Sequence, residues 1–125
     1  MIPIQKNYLK GFTLVEIMIV IAIIALLAAI AIPNFVKARA TSQATTCINN
    51  LRQIDTAIQQ FSIEARKHVG DTVSLSPDLT PYIKLNSQGS IPTCPVQGGT
   101  YTLNPIGSNP AVSCSFSTLN PPHQF

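Results

Sequence analysis

The chain has 125 residues, of which 46% are hydrophobic, 10% charged and 6% aromatic, with 10 prolines, 3 cysteines and a formal net charge of +3. That length allows one small domain. So low a charged fraction beside so high an apolar one excludes global disorder and argues against an ordinary soluble enzyme.

The apolar residues are concentrated near the start. Of the 21 residues from Phe12 to Ile32 only Thr13 and Glu16 fall outside the apolar set, whereas from Pro33 to Phe125 the apolar count is 33 of 93. A helix rises 1.5 Å per residue, so about 20 apolar residues cross a bilayer core roughly 30 Å thick. The run exceeds the roughly 7–15 apolar residues of a cleavable secretory signal, and no small-x-small site ends it. A remainder of 93 residues is also too small to bury a helix that is apolar on every face, so a retained membrane segment is expected. Lys6 and Lys10 precede it with no acidic residue before it, which places the N-terminus in the cytoplasm and residues 33–125 outside. Cysteines there meet an oxidising compartment. Glu16 is the anomaly, because a carboxylate in an apolar helix costs several kcal/mol unless it is neutralised or paired, which makes it functional by default.

The residues around Glu16 form a pattern. Lys10-Gly11-Phe12-Thr13-Leu14-Val15-Glu16 is followed by 14 apolar residues, Ile17 to Ile30, and then by Pro33-Asn34-Phe35. This resembles the class III signal peptide of the type IV pilin and type II secretion pseudopilin family. The resemblance covers about a fifth of the chain and implies specific roles. Residues 1–11 would be a basic leader cut after Gly11 by a prepilin peptidase. Phe12 would be the new, N-methylated terminus, and Glu16 would pair with the terminal amine of a neighbouring subunit. Independently, an amine and a carboxylate that are each costly in an apolar medium gain by pairing, and pairing across subunits fixes axial register.

The helical signal continues past the membrane run. Cys47, Leu51, Ile54, Ile58, Phe61 and Ala65 are spaced as one apolar stripe, and the opposite face carries Asn50, Arg52, Gln53, Gln59, Gln60 and Arg66. A helix from about residue 12 to about residue 67 is expected, with a kink or opened hydrogen-bond ladder at Pro33. Lys37 and Arg39 suit anchoring to lipid headgroups. Ser76-Pro77-Asp78-Leu79 predicts a short helix through about Ile83, with a capping serine and a proline at its first position. Thr100–Leu103 and Ala111–Phe116 alternate and predict an antiparallel hairpin with a loose loop, with a third short strand near the tail. Such a sheet is marginal alone. Packed on the apolar stripe it completes an α+β, pilin-like head over residues 33–125, after the leader at 1–11 and the membrane or filament-core helix at 12–32.

Three cysteines allow one disulfide and one thiol. Cys94 and Cys114 bracket the hairpin, and a bridge between them would close a loop of about 20 residues and stabilise by roughly 3 kcal/mol. Cys47 lies in the helical stripe, where a free thiol packs well, although its pairing with Cys94 or Cys114 stays open. No paired Cys or His spacing suggests zinc, and His68 and His123 each stand alone in the sequence. No cofactor is expected; calcium is unsupported by acidic residues, since no Asp or Glu follows Asp78, although carbonyl ligands could still bind a weak ion.

No catalytic constellation is present among Asp55, Glu64, Asp71 and Asp78, which occur singly, and His68 suits a helix end better than a general base. From Ala40 onward Arg52, Arg66, Lys67 and Lys84 balance those four acids, so the head lacks the basic footprint of a nucleic-acid binder. The expectation is a non-enzymatic subunit that polymerises with copies of itself into a type IV pilus or similar filament. The resemblance implies as partners the peptidase and an inner-membrane platform with its ATPase. It also implies passage from the bacterial inner membrane to a periplasmic or surface filament. The alternatives are a type II secretion pseudopilin and a membrane-anchored DNA-binding competence pilin.

Overall fold

The computed structural model describes residues 11–124, so Lys6, Lys10 and most of the expected leader lie outside the described residues. Helix α1 spans Leu14–Glu64; a single 3-10 turn follows at Thr80–Tyr82, and strands β1 (Tyr101–Leu103) and β2 (Val112–Cys114) complete the regular structure. The expected combination of one long apolar N-terminal helix with a small antiparallel sheet is what the chain forms. It divides into two compact units, the first ending at Lys37 and the second beginning at Ala38.

Among the described residues of the first unit the large apolar side chains are exposed. Phe12, Leu14, Ile17, Ile24, Ile30 and Val36 all present their side chains to the surroundings, and the helix is long and apolar enough to cross a membrane. Helical geometry runs through Pro33. Proline has no N–H, so the Ala29 carbonyl receives no bond from it.

The second unit is organised by one face of α1. Ala44, Cys47, Leu51, Ile54, Ala57 and Ile58 are buried and form the core with Leu79, Ile83, Cys94, Ile106, Val112 and Cys114. Most of the expected stripe is therefore buried, with Ala44 and Ala57 added to it. Its last member, Ala65, is exposed instead, because α1 stops at Glu64 and the chain turns away. The exit is a Schellman turn: the Lys67 N–H donates to the Ser62 carbonyl (2.9 Å) and the Arg66 N–H to the Ile63 carbonyl (3.3 Å), with Arg66 left-handed at φ 49°.

Two expectations for the head need correction. The short helix from Ser76 to Ile83 is reduced to the 3-10 turn at Thr80–Tyr82. Pro81 withholds a donor where an α-helix would continue. Asp78, expected in the first helical turn, folds backward and accepts from the Ser74 N–H (3.0 Å) and hydroxyl (2.8 Å). The hairpin is present, with Tyr101 opposite Cys114, Thr102 opposite Ser113 and Leu103 opposite Val112, but among the described residues the sheet has two strands and no third. The tail contains Asn120-Pro121-Pro122, whose prolines cannot donate to a ladder.

Elsewhere the head is laced by single bonds. Asn50 donates from α1 to the Thr93 carbonyl (3.1 Å) and to the Tyr101 hydroxyl (3.2 Å). The Tyr82 hydroxyl donates to Glu64 at 2.6 Å, and its ring meets Phe61 edge-on. The Gly70 N–H donates to the Ile106 carbonyl and the Ile106 N–H to the Asp71 carbonyl, which ties the helix exit to the hairpin loop.

Candidate functional site

The start of α1 is built as a capping box. Thr13 precedes the first helical residue, and its N–H and hydroxyl both donate to Glu16 Oε2, at 2.7 and 2.8 Å; the Glu16 N–H donates back to Thr13 Oγ1 at 3.2 Å. Thr-x-x-Glu satisfies helix-terminal donors reciprocally, and the positive end of the helix dipole favours the carboxylate there. Thr13-Leu14-Val15-Glu16 carries this signature in the sequence, where the apolar context hides it. The box holds the carboxylate at the leading edge of the apolar run.

Gly11 and Phe12 precede the box outside the helix, and Phe12 is 86% exposed. A Cβ built on Gly11 meets nothing within 4 Å among the described residues. Among the described residues there is room for a side chain at this position.

A second constellation lies inside the head. Cys47 from α1, Cys94 from the loop before β1, Cys114 from the end of β2 and His123 from the tail are all buried, Cys47 at 0% and His123 at 3% exposure. The three cysteines are free thiols. Their sulfurs and an imidazole nitrogen lie within 4.8 Å of one another, with Cys94 Sγ 3.5 Å from His123 Nδ1. His123, isolated in the sequence, is thus not isolated in the fold, whereas His68 stays on the surface, where its N–H donates to Asp71 at 2.8 Å.

The surroundings of the sulfurs are specific. Burial pushes the Cys47 thiol up to about 12, and it raises Cys94 as well, against which the Val96 N–H pulls downward. The Phe116 N–H points at Cys114 Sγ (3.5 Å), and the His123 N–H donates to the Phe116 carbonyl (3.3 Å). Gly99 permits the closeness: a Cβ there would lie 2.5 Å from Cys94 Cβ and 2.7 Å from its Sγ. No spacing rule could have found this group, because its members come from four segments separated by 20 residues or more, save the last two.

Residues 6–32 match the family model of the prokaryotic N-terminal methylation motif. The chain is 49% identical over 59 residues, 47% of its own length and 27% of the relative's, to a type IV major pilin protein of Myxococcus xanthus. It is 45% identical over 63 residues (50% of this chain, 39% of the relative) to a type IV major fimbrial protein of Dichelobacter nodosus. A fimbrial protein of Pseudomonas aeruginosa is 41% identical over 73 residues (58% and 46%). The matches span less than half the length of each of these relatives. No solved structure matches the chain.

Proposed function

For a chain that belongs to the type IV pilin family, with an N-terminal methylation motif at residues 6–32, we propose the role of structural subunit in a type IV pilus or pilus-like filament. The observation that carries the proposal is the pairing of an exposed apolar helix with one carboxylate held at its leading end by Thr13. A contiguous apolar surface of that extent needs lipid or other copies of itself around it. The names of the relatives favour a pilus over a secretion pseudopilus.

In this reading the leader, residues 1–11, is removed after Gly11 by a prepilin peptidase. Open space around Gly11 among the described residues favours selection by an enzyme groove, where a Cβ would obstruct the extended peptide. Phe12 becomes the terminus, and residues 12–32 cross the inner membrane with the head outside. An assembly platform and its ATPase extract the subunit, and the helix passes from lipid into a bundle of identical helices. The Phe12 amine of one subunit then meets the Glu16 carboxylate of another, which relieves two unfavourable charges and sets the step. No side chain is required to do chemistry.

The test is Glu16→Ala in the producing cell, scored for leader removal by mass, for membrane content and for sheared surface filaments by electron microscopy. The expected variant is processed and inserted but makes few filaments. Normal filaments would remove the pairing from the mechanism. Gly11→Val, as a control, is expected to retain the leader and to run heavier by its 11 residues.

A further inference from the structure

We propose that Cys47, Cys94, Cys114 and His123 form a structural site for one zinc-type divalent cation inside the head. The four donor atoms already cluster within 4.8 Å. A tetrahedral zinc with Zn–S near 2.3 Å and Zn–N near 2.05 Å has edges of about 3.5–3.8 Å. The edge from Cys94 Sγ to His123 Nδ1 is 3.5 Å, so it stands at that length before any ion is added. No edge exceeds 4.8 Å, so the longest needs to close by at most about 1 Å to reach that geometry.

The donor set selects the ion. Three thiolates and an imidazole suit zinc and other borderline-soft divalent ions, whereas calcium and magnesium need oxygen ligands. Four protein ligands leave no open position, so the site is structural and not catalytic. Binding displaces three protons, one from each thiol, to solvent; sulfur–metal bonds replace the S–H bonds and no electrons are transferred. Burial alone favours the neutral thiols of Cys47 and Cys94, so the ion's own charge must draw off the protons. The Phe116 N–H, two residues beyond Cys114, points at its sulfur (3.5 Å) as an outer hydrogen bond to that ligand.

A disulfide competes for the same atoms. It would use two sulfurs, with Cys94 and Cys114 the pair favoured by sequence separation, and it would leave the third thiol and His123 without a role. A cation uses all four. It also joins helix, loop, strand and proline-rich tail in one step, in a head whose sheet has only two short strands. Small domains with little regular structure are commonly stapled in this way. The site is independent of polymerisation and stands whether or not the chain forms a filament.

The experiment uses the full chain, extracted from membranes in detergent without reductant or chelator. Metal content is measured by mass spectrometry, and thiols are counted after unfolding with a chelator. One zinc and three thiols per chain are expected. Replacement by cobalt(II) is expected to give visible bands of tetrahedral coordination together with sulfur-to-cobalt charge transfer. His123→Ala, checked for folding by circular dichroism, keeps three thiols, alters the cobalt spectrum and weakens zinc at least about tenfold. One thiol with no stoichiometric metal means that a disulfide occupies the cluster and overturns the proposal. Cobalt uptake without sulfur charge transfer overturns it too, and an unchanged His123→Ala spectrum removes the histidine from the site.

Discussion

Glu16 answers two demands with one carboxylate. In the single chain it completes the capping box, with both Thr13 donors landing on Oε2; in the proposed filament it also receives a neighbour's amine. Thr13→Val keeps the shape and removes the hydroxyl, and with it the acceptor for the Glu16 N–H. Faster hydrogen exchange at the amides of residues 14–16 is expected in detergent, with leader removal unaffected; unchanged exchange would show that the box does not hold the turn. Arg66 carries a different kind of tension, a left-handed φ of 49° at the position where helices favour glycine. The conformation costs a non-glycine residue about 1–2 kcal/mol, and glycine gives back roughly 0.4–1 through its freer unfolded chain. Arg66→Gly is therefore expected to raise stability by about 0.5–1 kcal/mol in urea titrations. Asp78 gives the head a pH response. The Ser74 N–H, and then its hydroxyl, hold the Asp78 carboxyl below its ordinary value. A carboxylate depressed in the folded state stabilises fully above its unfolded pKa near 4, and that contribution is lost as pH falls through the folded value. Between pH 7 and pH 3 the urea midpoint of Asp78→Asn is expected to fall less than that of the parent chain.

At the scale of elements, one face of α1 organises everything else in the head. Leu51 and Ile54 are each 1% exposed and sit among residues from the 3-10 turn, the hairpin and the loops between them. Leu51→Ala leaves a cavity that so small a core cannot collapse around, and a loss of about 2–5 kcal/mol is expected, read as a lower urea midpoint with helix content unchanged in native buffer. The hairpin loop depends on a closer contact. Gly107 has φ 86°, a left-handed conformation that strains any other residue, and a Cβ there would stand 2.7 Å from Val69 Cγ1, so a larger residue would have to push the exposed Val69 side chain aside. These elements differ in how far local sequence determines them. The stripe on α1 and the alternation of Tyr101–Leu103 and Val112–Cys114 are visible in the sequence because periodicity reports burial directly. The Ser76–Ile83 segment misleads because Ser76 does not cap a helix there: the turn begins after Leu79 without a side-chain cap, Asp78 bonds backward to Ser74, and Pro81 withholds a donor. The third strand fails for a related reason, since prolines in the tail remove the donors it would need.

For the molecule as a whole, sequence separates the two parts well and the contents of the head less well. The apolar run, the misplaced carboxylate and the glycine before it are adjacent in the chain, so their relation can be read without a fold. The relation of Cys47 to Cys94, Cys114 and His123 exists only after four segments have packed together. The distribution of exposed apolar side chains carries the last prediction. Among the described residues, 16 of the exposed large hydrophobic side chains lie between Phe12 and Val36 and only Ile63, Val69 and Leu119 lie beyond. The drive toward lipid and toward other copies is then a property of the first unit, since apolar burial scales with the area available and the second unit offers scattered single residues. A fragment of residues 38–125 is expected to stay in the soluble fraction and to sediment as a monomer, whereas the full chain enters membranes. The head would then add contacts to a polymer that the apolar helix drives. Self-association of the fragment at micromolar concentration would reverse that order and make the head surface the primary site of assembly.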